Sequence, residues 1–258
     1  MCIEDIVLEI FCLVDDWTGE LPKHTQAKLY PSELITIAIL KAIKGQSTRR
    51  FYNWLKNTGW FPTLPDYTRL FRLLRQATPL LDVLSRDDSD AQNWLVIDST
   101  GCEVVHPRRE GRALHWIAKT KHNGRWIVGM KVVILADPTG HILDWQLDTA
   151  NVHDKHFAWM IEEVTNKVLS DQGFHNKEGD PDNLIVCQRG QHNERMVVES
   201  IFSLCKRLLG LNTIQAKTRQ GFETALTQLF ATFNTLLALN KKLGITSKHP
   251  AIAHFCIF

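Results

Sequence analysis

The sequence lacks the features that mark several large classes of protein. Its 258 residues contain no uninterrupted apolar run long enough to span a membrane, and the acids Glu4, Asp5 and Glu9 break the charge pattern of a secretory signal. The six cysteines include no CxxC pair, which is typical of reduced and mostly buried thiols. We therefore expect a soluble, cytoplasmic protein whose core needs no disulfide bond.

Several kinds of chemistry are disfavoured in the same way. No glycine-rich phosphate loop is present, which argues against nucleotide-driven reactions. Ser99 and Ser170 lack the elbow motif of nucleophilic hydrolases. The cysteines and histidines complete no zinc tetrad, so we interpret them as structural residues.

The net charge of +2 conceals a marked segregation of charge. Residues 1–20 carry six acids and no Lys or Arg, whereas residues 41–75 carry eight bases against Asp66 alone, and residues 106–131 carry seven bases against Glu110 alone. Locally basic surfaces favour a polyanionic partner such as DNA, although exposed helices also cluster charge without binding one. The DNA-contact candidates in these stretches are Arg49, Arg50, Arg72, Arg108, Arg109 and Arg112.

Residues 1–86 show the patterns of short amphipathic helices. Apolar residues recur at helical spacing between Ile3 and Trp17, and cap and stop residues bound further helices over 33–44, 48–56 and 66–76. The stretch is therefore predicted to be an all-α domain that contacts DNA in the manner of a helix-turn-helix. The alternative is a set of short basic helices with no DNA contact.

Beyond a polar boundary at residues 86–92, the pattern changes from helices to strands. Residues 93–242 are predicted to form an α/β domain, a mixed sheet covered by helices, followed by a tail at 243–258. Strands are expected at 94–97, with residues 101–105 as an open extension, at 125–135, 141–147 and 184–187, with a short strand ending at Asp171. Helices are expected at 155–168, 193–208 and 221–241.

Three acids stand where side chains reach a cleft. Asp98 and Asp171 each follow a predicted strand, and Glu199 projects from the helix at 193–208. Carboxylate oxygens are the ligands that Mg²⁺ prefers, so convergence of the three acids would create a site for one or two hard cations. Each acid also has a structural interpretation: Asp98 as a turn former, Asp171 as a loop cap, and Glu199 as an ion-pair partner of Arg195 or Lys206.

The helix at 193–208 carries one polar line. Arg195, Glu199, Ser203 and Lys206 follow one another at intervals of four, four and three residues, so they stack along one side of the helix. Taken alone, this line is typical of an ordinary salt-bridged surface.

The acids lie in three motifs that occur in a fixed order. They are Ile97-Asp98-Ser99-Thr100, Ser170-Asp171-Gln172-Gly173-Phe174 and Arg195-(three residues)-Glu199-(six residues)-Lys206. This set resembles the DDE transposases of bacterial insertion sequences, which have a ribonuclease-H-like core and, in many members, a Tyr-(2)-Arg-(3)-Glu-(6)-Lys signature. Other similar stretches lie at 51–54, 61–65, 129–132 and 149–154, so the resemblance runs from about Pro31 to Asn240.

The resemblance implies a fold, a reaction and a set of roles. Asp98, Asp171 and Glu199 are expected to be catalytic and to bind two Mg²⁺ ions, with Mn²⁺ as a substitute, while Arg195 and Lys206 contact DNA near them. The expected reaction is hydrolysis at the transposon ends followed by transfer of the 3′-hydroxyl into target DNA. Two ends must be held together, so we expect a homodimer, at the nucleoid in the bacterial cytoplasm.

The sequence departs from the family pattern at two points. His192 stands where the signature has Tyr, and only 28 positions separate Asp171 from Glu199. The helix usual in this interval is reduced to the loop at 176–182. Either the core is compact, or this copy is partly degenerate.

Two alternative functions stay open at this stage. One is a catalytically inactive, transposase-derived DNA-binding protein, and the other is a metal-dependent DNA nuclease without strand transfer. The enzyme interpretation requires the carboxyl groups of Asp98, Asp171 and Glu199 to converge, and acids too far apart to share metals favour the inactive protein.

Overall fold

The chain folds into two compact units. The structure, a computed structural model, describes residues 2–19, 21–86, 94–112, 115–122, 124–188 and 195–245. Among the described residues, one unit contains those up to Ser85 together with residues 224–245, and the other contains those within Arg86–Glu223. None of the helices within these residues has both the length and the apolar character needed to cross a bilayer.

The first unit is made of helices, as predicted. They are α1 (Ile3–Thr18), α2 (Pro31–Lys44), α3 (Thr48–Thr58), α4 (Tyr67–Gln76), α5 (Thr78–Ser85) and the C-terminal part of α8 (Arg219–Lys242). Local chemistry sets their ends: Pro31 occupies the first turn of α2, and Gly45 closes α2 in the left-handed conformation. The Asp66 carboxylate caps α4 by accepting a hydrogen bond from the Arg69 amide at 3.0 Å.

The second unit contains the predicted mixed sheet. Its strands are β1 (Trp94–Val105), β2 (Ala118–His122), β3 (Arg125–Ala136), β4 (Ile142–Thr149), β5 (Lys167–Ser170) and β6 (Leu184–Val186). In the part of the chain that the structure describes, the strand order is β2-β3-β1-β5-β6, and β4 also pairs with β3. β1, β3 and β4 are antiparallel neighbours, whereas β5 and β6 run parallel to β1. This mixed sheet with flanking helices matches the ribonuclease-H-like fold class expected from the sequence.

Different elements pack against the two faces of β1. On one face, Leu95 and Ile97 belong to a buried cluster with Val133 and with Phe157, from the short 3₁₀ helix Asp154–Phe157. The other face carries Asp98 and Thr100 and meets α7 (Met196–Leu208). The alternation along β1 thus assigns successive residues to two different layers of the unit.

The secondary structure differs from the prediction at one helix and one strand. The helix expected at 155–168 is only the 3₁₀ turn and α6 (Trp159–Glu162), because Lys167 already begins β5 and pairs with Trp94. β2 was not predicted, since Ala-Lys-Thr-Lys-His has no apolar alternation; it becomes a strand by pairing with the first half of β3. The expected domain limits of 1–86, 93–242 and 243–258 stay a prediction.

Gly129 is required by a close approach of two strands. It lies in β3 opposite Glu103, where the register of β1 shifts before Val105. A Cβ atom at Gly129 would lie 1.9 Å from the backbone oxygen of Cys102. A glycine at this position lets the bulged strand pack against β3 without a clash.

Gly129→Ala is therefore expected to lower the free energy of unfolding by about 1–3 kcal/mol, the usual cost of overpacking. Chemical denaturation measures the change. Gly111→Ala is the control, because an added Cβ at Gly111 meets nothing within 4 Å. Equal stability of the two variants would contradict this account of β3.

Candidate active site

Strand register places Asp98 beside Asp171. β1 and β5 run parallel, and their last paired residues are Val96 and Leu169. Two residues further along each strand come Asp98 and Asp171, where β5 has ended and β1 continues. The carboxyl ends of neighbouring parallel strands are a common location for ligand sites in α/β sheets. The pairing therefore brings together two acids that lie 73 positions apart in the sequence.

The turn after β5 fixes the Asp171 carboxylate. Asp171 caps the 3₁₀ helix Gln172–Phe174, and its Oδ1 accepts a hydrogen bond from the Gly173 amide at 2.8 Å. Phe174 anchors this turn, since it is fully buried in the cluster beneath the sheet. The predicted strand end at Asp171 is thus present, and the capping bond expected of a structural Asp is present as well.

α7 contributes the polar line that the sequence predicted. Arg195, Glu199, Ser203 and Lys206 all border the same cavity, while Val198, Ile201 and Cys205 are buried on the opposite side of the helix. Lys206 Nζ donates a hydrogen bond of 2.6 Å to Thr100 Oγ1 on β1. This bond ties the end of the polar line to the strand that carries Asp98.

The acids and the polar line share one open cavity of about 990 Å³, called the carboxylate cavity below. Its acidic lining residues are Asp98, Asp154, Asp171 and Glu199, and its basic lining residues are Lys121, Lys131, Arg195, Lys206 and Arg207. Acids of this kind suit hard cations, and the surrounding bases suit phosphate oxygens.

The surroundings of Asp98 disfavour its charged form. Burial raises the pKa of its carboxyl to about 6, and the negative charges of Asp171 and Asp154 act in the same direction. The Ser99 amide, which donates to Asp98 Oδ1 at 2.8 Å, and the nearby Arg195 charge oppose this rise in pKa. An anionic Asp98 is therefore costly here unless a cation lies beside it.

Glu199 is oriented toward Arg195. Its Oε1 accepts a hydrogen bond from Arg195 Nη2 at 3.1 Å, and the same Nη2 lies 3.9 Å from Asp98 Oδ2. The Glu199 side chain is 56% exposed, against 15% for Asp98. Within the residues that the structure describes, no three His, Cys, Asp or Glu side chains come close enough to hold a metal together. The three acids thus share a cavity without forming a closed set of ligands.

Asp98 and Asp171 nevertheless fit a divalent cation of the Mg²⁺ class. Both offer hard carboxylate oxygens, and the partly buried Asp98 carboxylate interacts with the charge of Asp171 with little solvent to screen it. Such a cation needs few protein ligands, because it keeps several waters and phosphate oxygens. The donor chemistry of this pair is therefore suitable for the implied metal.

Sequence reasoning assigned no role to Asp154 and Lys131, although both line the cavity. Asp154 Oδ1 accepts hydrogen bonds from Ser99 Oγ and from Lys131 Nζ, each at 2.7 Å. The only signal was that both residues lie in stretches noted above as similar to the transposases, at 129–132 and 149–154.

The other predicted DNA contacts lie outside this cavity. Arg108 and Arg109 are exposed on the 3₁₀ helix Pro107–Arg112, and the side chain of Arg112 is outside the described residues. Arg49, Arg50 and Arg72 are exposed on α3 and α4 in the other unit. His192, the position of the signature Tyr, also falls outside the described residues.

Comparisons with known proteins give a match to a family model and a similarity to a solved structure. Residues 91–192 match the family model described as a transposase DDE domain, a range that includes Asp98 and Asp171 and ends before Glu199. Among solved structures, the chain is similar to one in a cryo-EM structure of a piggyBac transposase synaptic complex with hairpin DNA. That similarity has 9% identity and a TM-score of 0.45, and it covers 95% of this chain and 75% of the other. No curated protein matches the chain.

The cost of an ionised Asp98 predicts that Asp98→Asn stabilises the metal-free protein. The folded state raises the pKa of Asp98 to about 6, above its usual value, so the folded protein holds this proton more tightly than the unfolded chain. This difference adds to the free energy of unfolding in full below about pH 4, and the contribution is lost as the pH rises through about 6. At pH 8 the variant is expected to be more stable than wild type by about 1–3 kcal/mol, with a smaller difference at pH 4.5. Denaturant unfolding in excess chelator measures both values.

Asp148→Asn provides a matched control. Asp148 is also a half-buried strand residue whose Oδ1 accepts a bond from the next amide, that of Thr149. It does not line the carboxylate cavity, so its substitution is expected to give no such gain at pH 8. An Asp98→Asn protein that is no more stable than wild type at pH 8 would contradict the electrostatic account.

Proposed function

We propose, from the match of residues 91–192 to the family model described as a transposase DDE domain, that this chain is a DNA transposase that depends on a divalent cation. The observation that carries the proposal is the position of Asp98 on β1 and of Asp171 directly after the neighbouring parallel β5, each two residues past the last parallel partners Val96 and Leu169, in one cavity with Glu199. Carboxylates that can hold a metal ion and basic side chains that can bind phosphate are the groups that phosphodiester chemistry needs at one site.

In this proposal, Asp98, Asp171 and Glu199 are the catalytic acids. Asp98 and Asp171 would hold Mg²⁺, or Mn²⁺ in its place, and Glu199 would complete the set once it leaves Arg195. Two bound ions would supply activation of the attacking oxygen and stabilisation of the leaving oxygen of a phosphodiester. The side chain of Asp98 is only 15% exposed, so solvent screens its electrostatic interaction with a cation less than at an open surface.

The proposed reaction has two steps. A water oxygen first attacks the phosphorus at the transposon end, so that the bond to the 3′ oxygen breaks and a free 3′-hydroxyl forms. That hydroxyl then attacks a phosphodiester of the target, forms a new phosphodiester bond and releases a 3′-hydroxyl of the target strand. Arg195 and Lys206 would bind phosphate oxygens of these strands at the cavity.

The basic residues outside the cavity extend the proposed DNA contacts. Residues 1–86 are proposed to bind DNA through Arg49, Arg50 and Arg72, and residues 93–242 to form the catalytic domain, followed by the tail at 243–258. Exposed Arg108 and Arg109, with Arg112, would contact the backbone of the same DNA. Because two ends must be joined together, we propose a homodimer in the active complex. Its place of action would be the nucleoid in the bacterial cytoplasm.

One observation favours a second candidate, a catalytically inactive DNA-binding protein. Glu199 pairs with Arg195, and the described acids form no closed set of three metal ligands. The short interval of 28 positions between Asp171 and Glu199 points the same way. In this alternative, the basic residues that line the carboxylate cavity would bind DNA, and the protein would not cleave the DNA.

A cutting and joining assay tests the proposal. The substrate is the genomic fragment that carries the coding sequence with its flanking DNA, incubated with a separate target plasmid and Mg²⁺ or Mn²⁺. We expect metal-dependent cutting at the ends and covalent joining to the plasmid. Asp98→Asn is expected to lower both by more than the roughly 10–100-fold that substitution of a residue behind a metal ligand costs, because it changes a proposed ligand itself, while Asp148→Asn retains them.

The products separate the three candidate functions. Nicked or cut DNA without joined product would replace the transposase proposal with a nuclease. Retarded DNA in a mobility assay, with no cutting in either metal, would identify an inactive DNA-binding protein. Cutting that persists in Asp98→Asn would exclude the carboxylate cavity as the active site.

A further inference from the structure

We propose that Asp154 is a positioning residue of the carboxylate cavity, which braces the segments carrying Asp98 and Asp171 from the side of the sheet opposite α7. The inference rests on the proposed function, because it assigns a role toward the cation that Asp98 and Asp171 would hold. It goes beyond that function by adding a carboxylate that the three motifs do not contain.

The alternation of side chains along β1 shows on which face of the sheet Asp154 lies. Ser99 is the next residue after Asp98, so its side chain points to the opposite face of β1. On β3, Val133 is the partner of Ser99 and Lys131 is the partner of Gly101, which places Ser99 and Lys131 on one face. Asp154 begins the 3₁₀ helix whose last residue is buried in the core cluster on that face.

Asp154 makes two strong contacts with this face. Its Oδ1 accepts hydrogen bonds from Ser99 Oγ and Lys131 Nζ, both at 2.7 Å. The side chains of Lys131 and Asp154 are only 16% and 19% exposed, so their ion pair is shielded from solvent. Charge-assisted bonds in such surroundings are short and directional, and breaking one leaves an uncompensated charge. Asp154 thereby fixes β1 at the residue next to Asp98.

The second oxygen of Asp154 lies against the turn that carries Asp171. A Cβ atom built on Gly173 would lie 2.7 Å from Asp154 Oδ2 and 2.9 Å from Asp171 Oδ1. The two carboxylates therefore meet over Gly173, and only a residue without a side chain leaves room for both. The 3₁₀ helices Asp154–Phe157 and Gln172–Phe174 pack together at this point.

These contacts assign Asp154 a role distinct from that of a metal ligand. Oδ1 is already occupied by Ser99 and Lys131. The carboxylates of Asp98, Asp154 and Asp171 lie near enough to interact electrostatically. Lys131 balances the charge of Asp154. Residues that hold metal ligands in place commonly change metal affinity or activity by about 10–100-fold when substituted.

Direct Mn²⁺ binding to the full-length chain, without DNA, tests the role. Titration calorimetry or Mn²⁺ electron paramagnetic resonance gives the affinity, and circular dichroism checks the fold. Asp154→Asn is expected to weaken Mn²⁺ binding by about 10–100-fold. Gly173→Ala is expected to weaken it by at least about 10-fold, because its methyl group displaces the two carboxylates without removing any charged group.

Asp144→Asn is the matched control. It breaks the Arg86–Asp144 ion pair, which is likewise half-buried on the sheet but lies outside the carboxylate cavity. If weaker Mn²⁺ binding came only from a less stable fold, Asp144→Asn would bind Mn²⁺ more weakly as well. We expect instead that its Mn²⁺ affinity equals that of wild type. A weakened affinity confined to Asp154→Asn and Gly173→Ala therefore supports positioning.

The contrary outcomes are distinct from one another. Wild-type affinity in Asp154→Asn would overturn this inference and leave the proposed function intact. If Asp154→Asn does not fold, Gly173→Ala decides alone, and wild-type affinity in that variant overturns the inference. A wild-type chain that binds no Mn²⁺ would overturn the proposed function, and the positioning role with it.

Discussion

The structure of the site depends on the parallel pairing of β1 with β5. Because Val96 and Leu169 are the last partners and β1 then continues alone, Asp98 and Asp171 come together at an open end of the sheet. α7 closes the cavity from one face of β1, and the turn that begins at Asp154 closes it from the other. A register change of one residue in β5 would turn Asp171 away from Asp98, so the hydrophobic cluster that fixes this register also fixes the site.

Charge balance among the acids and bases of the cavity is the second constraint. Asp98 is partly buried beside other acids, which raises the pKa of its carboxyl to about 6, mainly through burial. Lys131 pairs with Asp154, and Arg195 pairs with Glu199, so the metal-free cavity carries cations of its own. The Lys131–Asp154 pair is shielded and held by several contacts, whereas Glu199 is more than half exposed. We therefore expect the first pair to persist and the second to exchange when phosphate or a cation enters.

Sequence reasoning located much of this site for physical reasons. An Asp after an apolar run, and a helix with a polar line, are local patterns, so the sequence marks Asp98, Asp171 and the line from Arg195 to Lys206 as candidates, although β1 continues past Asp98. β2 was missed because its residues gain strand structure only through β3, and the helix at 155–168 was overextended because pairing with β1 turns residues 167–170 into a strand. Asp154 was missed for the same reason: its partners Ser99 and Lys131 are 55 and 23 positions away. The orientation of Glu199 toward Arg195 was foreseen only as a structural alternative.

The central claim is that Asp98 and Asp171 together hold a divalent cation. Anomalous X-ray diffraction from crystals of the chain grown with Mn²⁺ at neutral pH would test it most directly, because the metal position is observed independently of activity. The account predicts an anomalous peak in contact with the carboxylates of both residues. A crystal in which Mn²⁺ is bound elsewhere, with no peak at these two carboxylates, would contradict it.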